Sequence, residues 1–233
     1  MVDFHSHVLP GIDDGSANAE QSAEMLRALA AQDVDTLVLT PHFYVQETDP
    51  DGFLALREKA MERLSPVLEE GMPALRLGAE VYYFRGIAHM EKLPLLRLEG
   101  TRILLLEMPF APWTNAEVRE VVSICENPAF VVMLAHVERY FKYAPADAWG
   151  ALHAAGALMQ TNAVSLLSWR TRGKVLRMMM QRRIQVLGTD CHNMSDRRPR
   201  MDEAVKVLEK RFGEEYVQRL VQDGSDILEE FSL

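Results

Sequence analysis

Cysteine is scarce in this chain: Cys125 and Cys191 are the only two among 233 residues, with no zinc-site spacing and no disulfide framework. That scarcity agrees with a reducing compartment. Long apolar runs are missing as well. None approaches the roughly 18 to 20 residues of a membrane span, so no membrane insertion is expected. Basic charge also falls short, with 25 Lys and Arg against 34 Asp and Glu and a net charge of -9. A nucleic-acid partner needs a basic stripe to neutralise phosphates, so none is expected, although a local basic pocket is still allowed. A polar motif starts at residue 3 and leaves no room ahead of it for a signal peptide, which makes the cytoplasm the expected location.

What is present suits one globular domain over residues 1–233, with 48% hydrophobic and 25% charged residues and a substantial core. The 13 methionines, Met178 to Met180 among them, serve as core filler. Helical periodicity covers 18–31, with Asn18 and Gln21 as a capping pair, and then about 51–70, 114–125, 146–155, 164–182, 200–212 and 214–222. Between these stand apolar, β-branched runs at the start of the chain and at 34–42, 75–82, 102–107, 130–136, 157–162 and 184–192. Seven strands alternating with helices are the pattern of a parallel sheet. Uniformly apolar strands require cover on both faces, as in a closed or nearly closed β/α barrel.

The opening run Asp3-Phe4-His5-Ser6-His7 would put Asp3, His5 and His7 on one face of an extended strand. Two imidazoles one strand pitch apart can hold one divalent metal, and a buried strand with incidental histidines would look the same. Gly11-Ile12-Asp13-Asp14-Gly15 has turn residues around its acids and can swing a carboxylate back over that spot. The other strands weigh in favour of the metal. Each delivers its polar residue at its C-terminal end, where β/α barrels build active sites: His42, Glu80, Glu107, His136, Asn162, then Asp190 and His192. Burying so many carboxylates without a counterpart would cost several kcal/mol each. Five histidines with four or more acids exceed one ion's needs, so two or three metals are expected. Mixed imidazole and carboxylate ligands suit manganese, iron, zinc or cobalt over calcium. His89, in a polar segment, and His153, on a helix, read as ordinary surface or core residues.

Taken in order, Asp-Phe-His-Ser-His, Gly-Ile-Asp-Asp-Gly-Ser, Thr-Pro-His, Gly-Ala-Glu-Val-Tyr-Tyr, Leu-Ala-His-Val-Glu-Arg-Tyr and Thr-Asp-Cys-His-Asn resemble the PHP (polymerase and histidinol phosphatase) superfamily. The Asp-Asp-Gly and His-x-Glu-Arg-Tyr elements are similar to its manganese-dependent bacterial protein-tyrosine phosphatases of capsule and exopolysaccharide synthesis. The resemblance implies a distorted seven-stranded, TIM-like β/α barrel with a three-metal cluster, manganese foremost. It implies His5, His7, Asp14, His42, Glu80, Glu107, His136, Asp190 and His192 as ligands. It places Arg139 and Arg197 on the phosphate, with Arg198 and Arg200 close enough in sequence to replace Arg197, and it puts Asp14 and His192 near the chemistry. The implied partner is a tyrosine-phosphorylated protein, a bacterial tyrosine kinase controlling polysaccharide export. One departure follows Thr-Pro-His, where Phe43-Tyr44-Val45-Gln46 stands in place of the second His or basic residues that members of the family often have; these aromatics are expected to stack on a phenol ring.

Phosphate monoesters resist hydrolysis strongly, so a catalyst must neutralise phosphoryl oxygens and supply a nucleophile. A hydroxide bridging two metals would supply the nucleophile at neutral pH, attacking in line without a phosphoenzyme. Cys191 and Arg197 offer a rival, the Cys-x5-Arg spacing of cysteine-dependent phosphatases. The intervening loop has no glycine for a close phosphate cradle, and its acids would raise the thiol pKa. Other readings are a phosphatase for a small ester such as histidinol phosphate, an amidohydrolase, and a metal-stabilised docking protein without activity. No strand here ends in the lysine that amidohydrolases use, and every expected ligand position is filled.

Overall fold

The computed structural model describes residues 1–233. Nine parallel strands form two sheets. β1 (Val2–Ser6), β2 (Thr36–Leu39) and β4 (Ala74–Leu77) make the first, in the order β1-β2-β4. β3 (His42–Phe43), β5 (Glu80–Tyr82), β6 (Ile103–Glu107), β7 (Val131–Leu134), β8 (Leu158–Asn162) and β9 (Val186–Gly188) make the second, in sequence order. Two of the seven expected strands are therefore each broken in two. The first break falls at Thr40-Pro41, where proline has no N–H for the ladder, and the second at Gly78-Ala79. Hydrogen bonding continues across both: Gly78 N donates to Leu39 O at 2.8 Å and Glu80 N to Pro41 O at 3.0 Å. His42 and Glu80 face each other in register as the first residues of β3 and β5.

Beyond β9 the chain reaches β1. Asp190 N donates to His5 O at 2.8 Å, and His7 N donates to Cys191 O at 2.9 Å. The helices are α1 (Ala19–Ala30), α2 (Pro50–Leu64), α3 (Asn115–Cys125), α4 (Ala148–Ala154), α5 (Arg172–Met180), α6 (Met201–Phe212) and α7 (Glu214–Glu230). Asn18 caps α1 by accepting from Gln21 N at 2.9 Å, while the Gln21 side chain reaches back one residue further, to Ala17 N at 2.7 Å. The helix expected over 164–182 divides into a 3-10 turn, Ala163–Leu166, and α5, and the last helix runs on to Glu230.

Two cores result. The larger, of 48 buried residues, lies between strands and helices. The smaller, of 11, gathers Val2, Phe4, Val38, Ile103, Leu105, Met133 and Val186 from five strands, with Ile227 and Leu228 of α7 against them. Burying these apolar side chains contributes on the order of 2 kcal/mol each. The strands thus curl around one apolar plug, and their polar C-terminal ends come together above it. No helix is long and apolar enough to cross a membrane.

Candidate metal centre and its arginine rim

Glu80 sits at the middle of the polar ends, 1% exposed. Its Oε2 lies 3.2 Å from His5 Nε2, 3.3 Å from His7 Nε2 and 2.9 Å from His42 Nδ1, and its Oε1 lies 2.8 Å from His136 Nε2. Glu107 Oε1 approaches the same His136 Nε2 at 3.3 Å. Asp190 Oδ1 is 3.8 Å from His5 Nε2, 3.5 Å from His7 Nε2 and 3.5 Å from His192 Nδ1. At the open side Asp14 Oδ1 stands 3.4 Å from His42 Nε2 and 3.3 Å from His192 Nε2. All nine residues expected as ligands are brought together. His89 and His153 are exposed and take no part.

The ring nitrogens facing away from the centre decide what faces into it. His7 Nδ1 lies 2.7 Å from Asp13 Oδ2, His5 Nδ1 lies 3.2 Å from Gln160 Oε1, and His192 Nδ1 lies 2.9 Å from the Asp190 carbonyl. Each outer nitrogen donates to an acceptor that has no proton of its own, so that Nε2 turns inward and offers a lone pair to a metal that displaces any proton there. Two such lone pairs, on His5 and His7, stand 3.1 Å apart. That approach is repulsive unless a cation or a proton lies between them. Buried and without a hydrogen-bond partner are Glu80 Oε2, His42 Nδ1, His136 Nδ1 and His192 Nε2; the short His42 to Glu80 approach lacks hydrogen-bond geometry. His136 faces the centre through Nε2 instead, but Glu80 Oε2, His42 Nδ1 and His192 Nε2 are orphaned donor atoms at the centre itself, and nitrogen and carboxylate oxygen donors of this kind fit divalent metals. Four overlapping groups have ligand atoms within 4.8 Å of one another: His7, Asp14, His42, His192; His5, His7, Asp190; His5, Glu80, His136; and His42, Glu80, Glu107.

Charge follows from this crowding. Burial alone would push the Glu80 and Asp190 carboxyls up, but the imidazoles around both, and Arg139 beside Asp190, hold them below the usual carboxylate range. Burial disfavours the charged forms of His7 and His136, yet their carboxylate partners lift His7 to about 10 and His136 to about 9. Burial and the neighbouring His7 charge push His192 down to about 4. A neutral ring at that place suits a lone-pair donor, not a proton carrier.

Backbone geometry aims the groups. His136 and Asp190 have φ of 29° and 52°, left-handed values that non-glycine residues seldom adopt. Asp3, on the face shared with His5, is not at the centre. It accepts from Thr189 N at 2.9 Å and Thr189 Oγ1 at 2.6 Å, tying down the residue before Asp190.

Arg139 and Arg197 rise on either side of Asp190. Arg139 Nη2 pairs with Asp190 Oδ2, while Arg197 Nη2 holds Asp190 Oδ1 at 2.9 Å and Arg197 Nη1 reaches Asp14 Oδ2 at 3.4 Å. Both remain about a third exposed, at 37% and 34%. Arg198 and Arg200 turn away to Glu203. Phe110, 44% exposed, lies under the Arg139 guanidinium and stacks beside His136. Of the aromatics after Thr-Pro-His, Phe43 is buried against Phe53, and only Tyr44 stacks on His42 at the rim. Cys191 is fully buried, and burial with Asp3 nearby pushes its thiol well above the ordinary range. No thiolate is on offer for the cysteine route.

The family described as "Capsular polysaccharide synthesis, CpsB/CapC" matches residues 1–229. The chain belongs to the CpsB/CapC family. Among its CpsB/CapC relatives, the tyrosine-protein phosphatase YwqE of Bacillus subtilis (strain 168) is 27% identical over 98% of this chain and 91% of its own length. The tyrosine-protein phosphatase CpsB of Streptococcus pneumoniae is 26% identical, covering 96% of each. A crystal structure from work on YwqE and CpsB, described there as unique metal-dependent tyrosine phosphatases, superposes with a TM-score of 0.84. It covers 100% of this chain and 96% of that one at 24% identity.

Some residues of this CpsB/CapC site escape sequence reasoning. Asp13 orients His7 and also accepts from His42 N at 3.1 Å. Gln160 accepts from His136 N at 2.7 Å besides meeting His5. Glu138, buried, accepts from Thr161 Oγ1 at 2.7 Å. Asn162, which the strand-end pattern does collect, donates from Nδ2 to Asp190 Oδ2 at 2.7 Å. Gln160 shares a strand face with Asn162, a signal available in the period-two pattern.

Proposed function

We propose that this chain is a metal-dependent protein-tyrosine phosphatase acting on a bacterial tyrosine kinase or a similar phosphoprotein of capsule or exopolysaccharide synthesis. The observation that carries the reading is the convergence of Arg139 and Arg197 on Asp190, at the open edge of a buried cage of imidazoles and carboxylates. His5, His7, Asp14, His42, Glu80, Glu107, His136, Asp190 and His192 would hold two or three divalent ions, manganese first among them. When bound, such ions activate water and offset phosphoryl charge. A guanidinium carries five N–H donors, so the arginines keep donors for phosphoryl oxygens after pairing with Asp190. The phenolate of tyrosine, with a pKa of roughly 10, needs little assistance to leave.

Residues 1–233 work as one domain. The two sheets act as one distorted seven-stranded barrel, a reading supported by the hydrogen bonds that cross both strand breaks and by those from the Asp190–Cys191 segment to β1. The half-exposed rim, with Asp14 at 64%, favours a phosphate borne on a protein over a small ester enclosed in a pocket. Free thiols at Cys125 and Cys191 support work in the cytoplasm.

The test is hydrolysis of a phosphotyrosine peptide by metal-stripped protein with and without manganese, beside histidinol phosphate. Manganese-dependent release from the peptide, with little from histidinol phosphate, is the expected result. Release without metal, or from histidinol phosphate alone, would overturn it.

A further inference from the structure

Between Arg139 and Lys174 the chain carries five Lys or Arg and a single acid, Asp147, although its net charge is -9. These residues come from the segments that follow β7 and β8, which are neighbours in the sheet. In a parallel sheet both segments emerge at the end where the polar cage lies. They touch: Lys174 Nζ stands 3.9 Å from the centroid of the Phe141 ring. Lys142 lies over Tyr143 at 4.6 Å and Arg170 over Trp169 at 5.2 Å. Arg198, Arg200 and Lys206 are all paired with carboxylates. Lys142, Arg170 and Lys174 are exposed and have aromatic rings as neighbours in place of acids. Beside them Trp169 is 80% exposed, an area of apolar ring that folding leaves wet.

We propose that Lys142, Trp169, Arg170 and Lys174 form a docking strip for an acidic polypeptide segment flanking the phosphotyrosine, one that sets an apolar residue on the Trp169 ring. The occupant follows from charge. An acidic enzyme repels an acidic substrate overall, and one unpaired basic strip leading to Arg139 reverses the field where the substrate must enter. Exposed indole next to cationic side chains is also the composition of interface anchors. The inference rests on the phosphatase reading for its substrate, but the strip can be measured without turnover.

The experiment uses the full manganese-loaded chain and a Lys142→Glu, Arg170→Glu, Lys174→Glu variant. For a phosphotyrosine peptide with Asp and Glu on both sides, KM should rise about tenfold at low salt, with kcat unchanged. Hydrolysis of p-nitrophenyl phosphate, too small to reach the strip, should stay within about twofold, which also certifies the fold. Trp169→Ala should raise KM by a smaller factor that salt does not erase. Fluorescence anisotropy of the labelled peptide reads binding directly, and the triple variant should lose most of it. Equal binding by both proteins overturns the strip, as does an equal loss on a peptide with Lys and Arg flanks. Absence of hydrolysis by the unaltered chain would overturn the phosphatase reading instead, and anisotropy would still decide the strip.

Discussion

Asp13 and Asp14, adjacent in the chain, take different places at the cage: the Asp13 side chain is buried on His7 Nδ1 at 2.7 Å, and Asp14 stands 64% exposed between His42 and His192. Their substitution should separate two kinds of loss. Asp13→Asn keeps every ligand but weakens the bond that orients His7, so metal affinity should fall about 10- to 100-fold while kcat recovers at saturating manganese. Asp14→Asn removes a carboxylate that faces the open side, and added metal should not restore turnover. Metal titration of both variants against a phosphotyrosine peptide checks this.

Protons and metals compete for the same nitrogens. His7, raised to about 10, and His136, raised to about 9, hold protons at neutral pH in the metal-free chain. Their folded pKa values exceed the ordinary 6.5, so the stabilisation is complete below that value and is lost as pH climbs through 9 to 10. The Tm of chelated protein should therefore drop between pH 7 and pH 10, and manganese should remove that drop. Manganese binding at neutral pH should also release protons, visible as a calorimetric enthalpy that changes with the buffer's ionisation enthalpy.

Cys191 lies in the cysteine-phosphatase spacing with Arg197, yet its thiol is buried and kept protonated. Cys191→Ser should leave kcat within about twofold and cost on the order of 1 kcal/mol of stability. Thiol alkylation should likewise leave activity standing. Loss of turnover in a folded, metal-replete Cys191→Ser protein would bring the cysteine route back.

Gly188 has no room for a side chain. A Cβ there would lie 2.6 Å from the Cβ of His5 and 2.7 Å from Gln160 Nε2, the pair that sets one inward nitrogen. Gly188→Ala should cost about 1 to 3 kcal/mol by overpacking and lower manganese affinity by about tenfold or more. Gly150→Ala, with nothing within 4 Å and a helical backbone, should be neutral or slightly stabilising. Thermal melts and metal content of the two proteins give the comparison.

How much of this was legible in the sequence depended on periodicity. Glu107, His136 and Asp190 each close an apolar run, and the strand-end rule collects them without knowledge of the fold. The cage could not be resolved further. Asp13 and Asp14 are chemically alike, and only the turn before Gly15 tells their carboxylates apart; a Cβ on Gly15 would sit 2.2 Å from His7 O. Arg197 and Arg198 differ only in that Glu203 waits on one side of the chain. Pro41 and Gly78 lie inside runs that read as single strands, because hydrophobic pattern records burial and not ladder continuity. Phe43 and Tyr44 alternate by strand geometry, but which of them meets the core depends on Phe53, ten residues on, in α2.

The cage is shared between the strands and the connections that follow them. His5, His42, Glu80 and Glu107 belong to β1, β3, β5 and β6 and are clamped by neighbouring strands. His7, Asp14, His136, Asp190 and His192 stand in the connections, two of them at unusual backbone angles. Both kinds of backbone thus found the cage, and the connections that carry five of its groups also carry Arg139 and Arg197, so ion cage and arginine rim share one foundation.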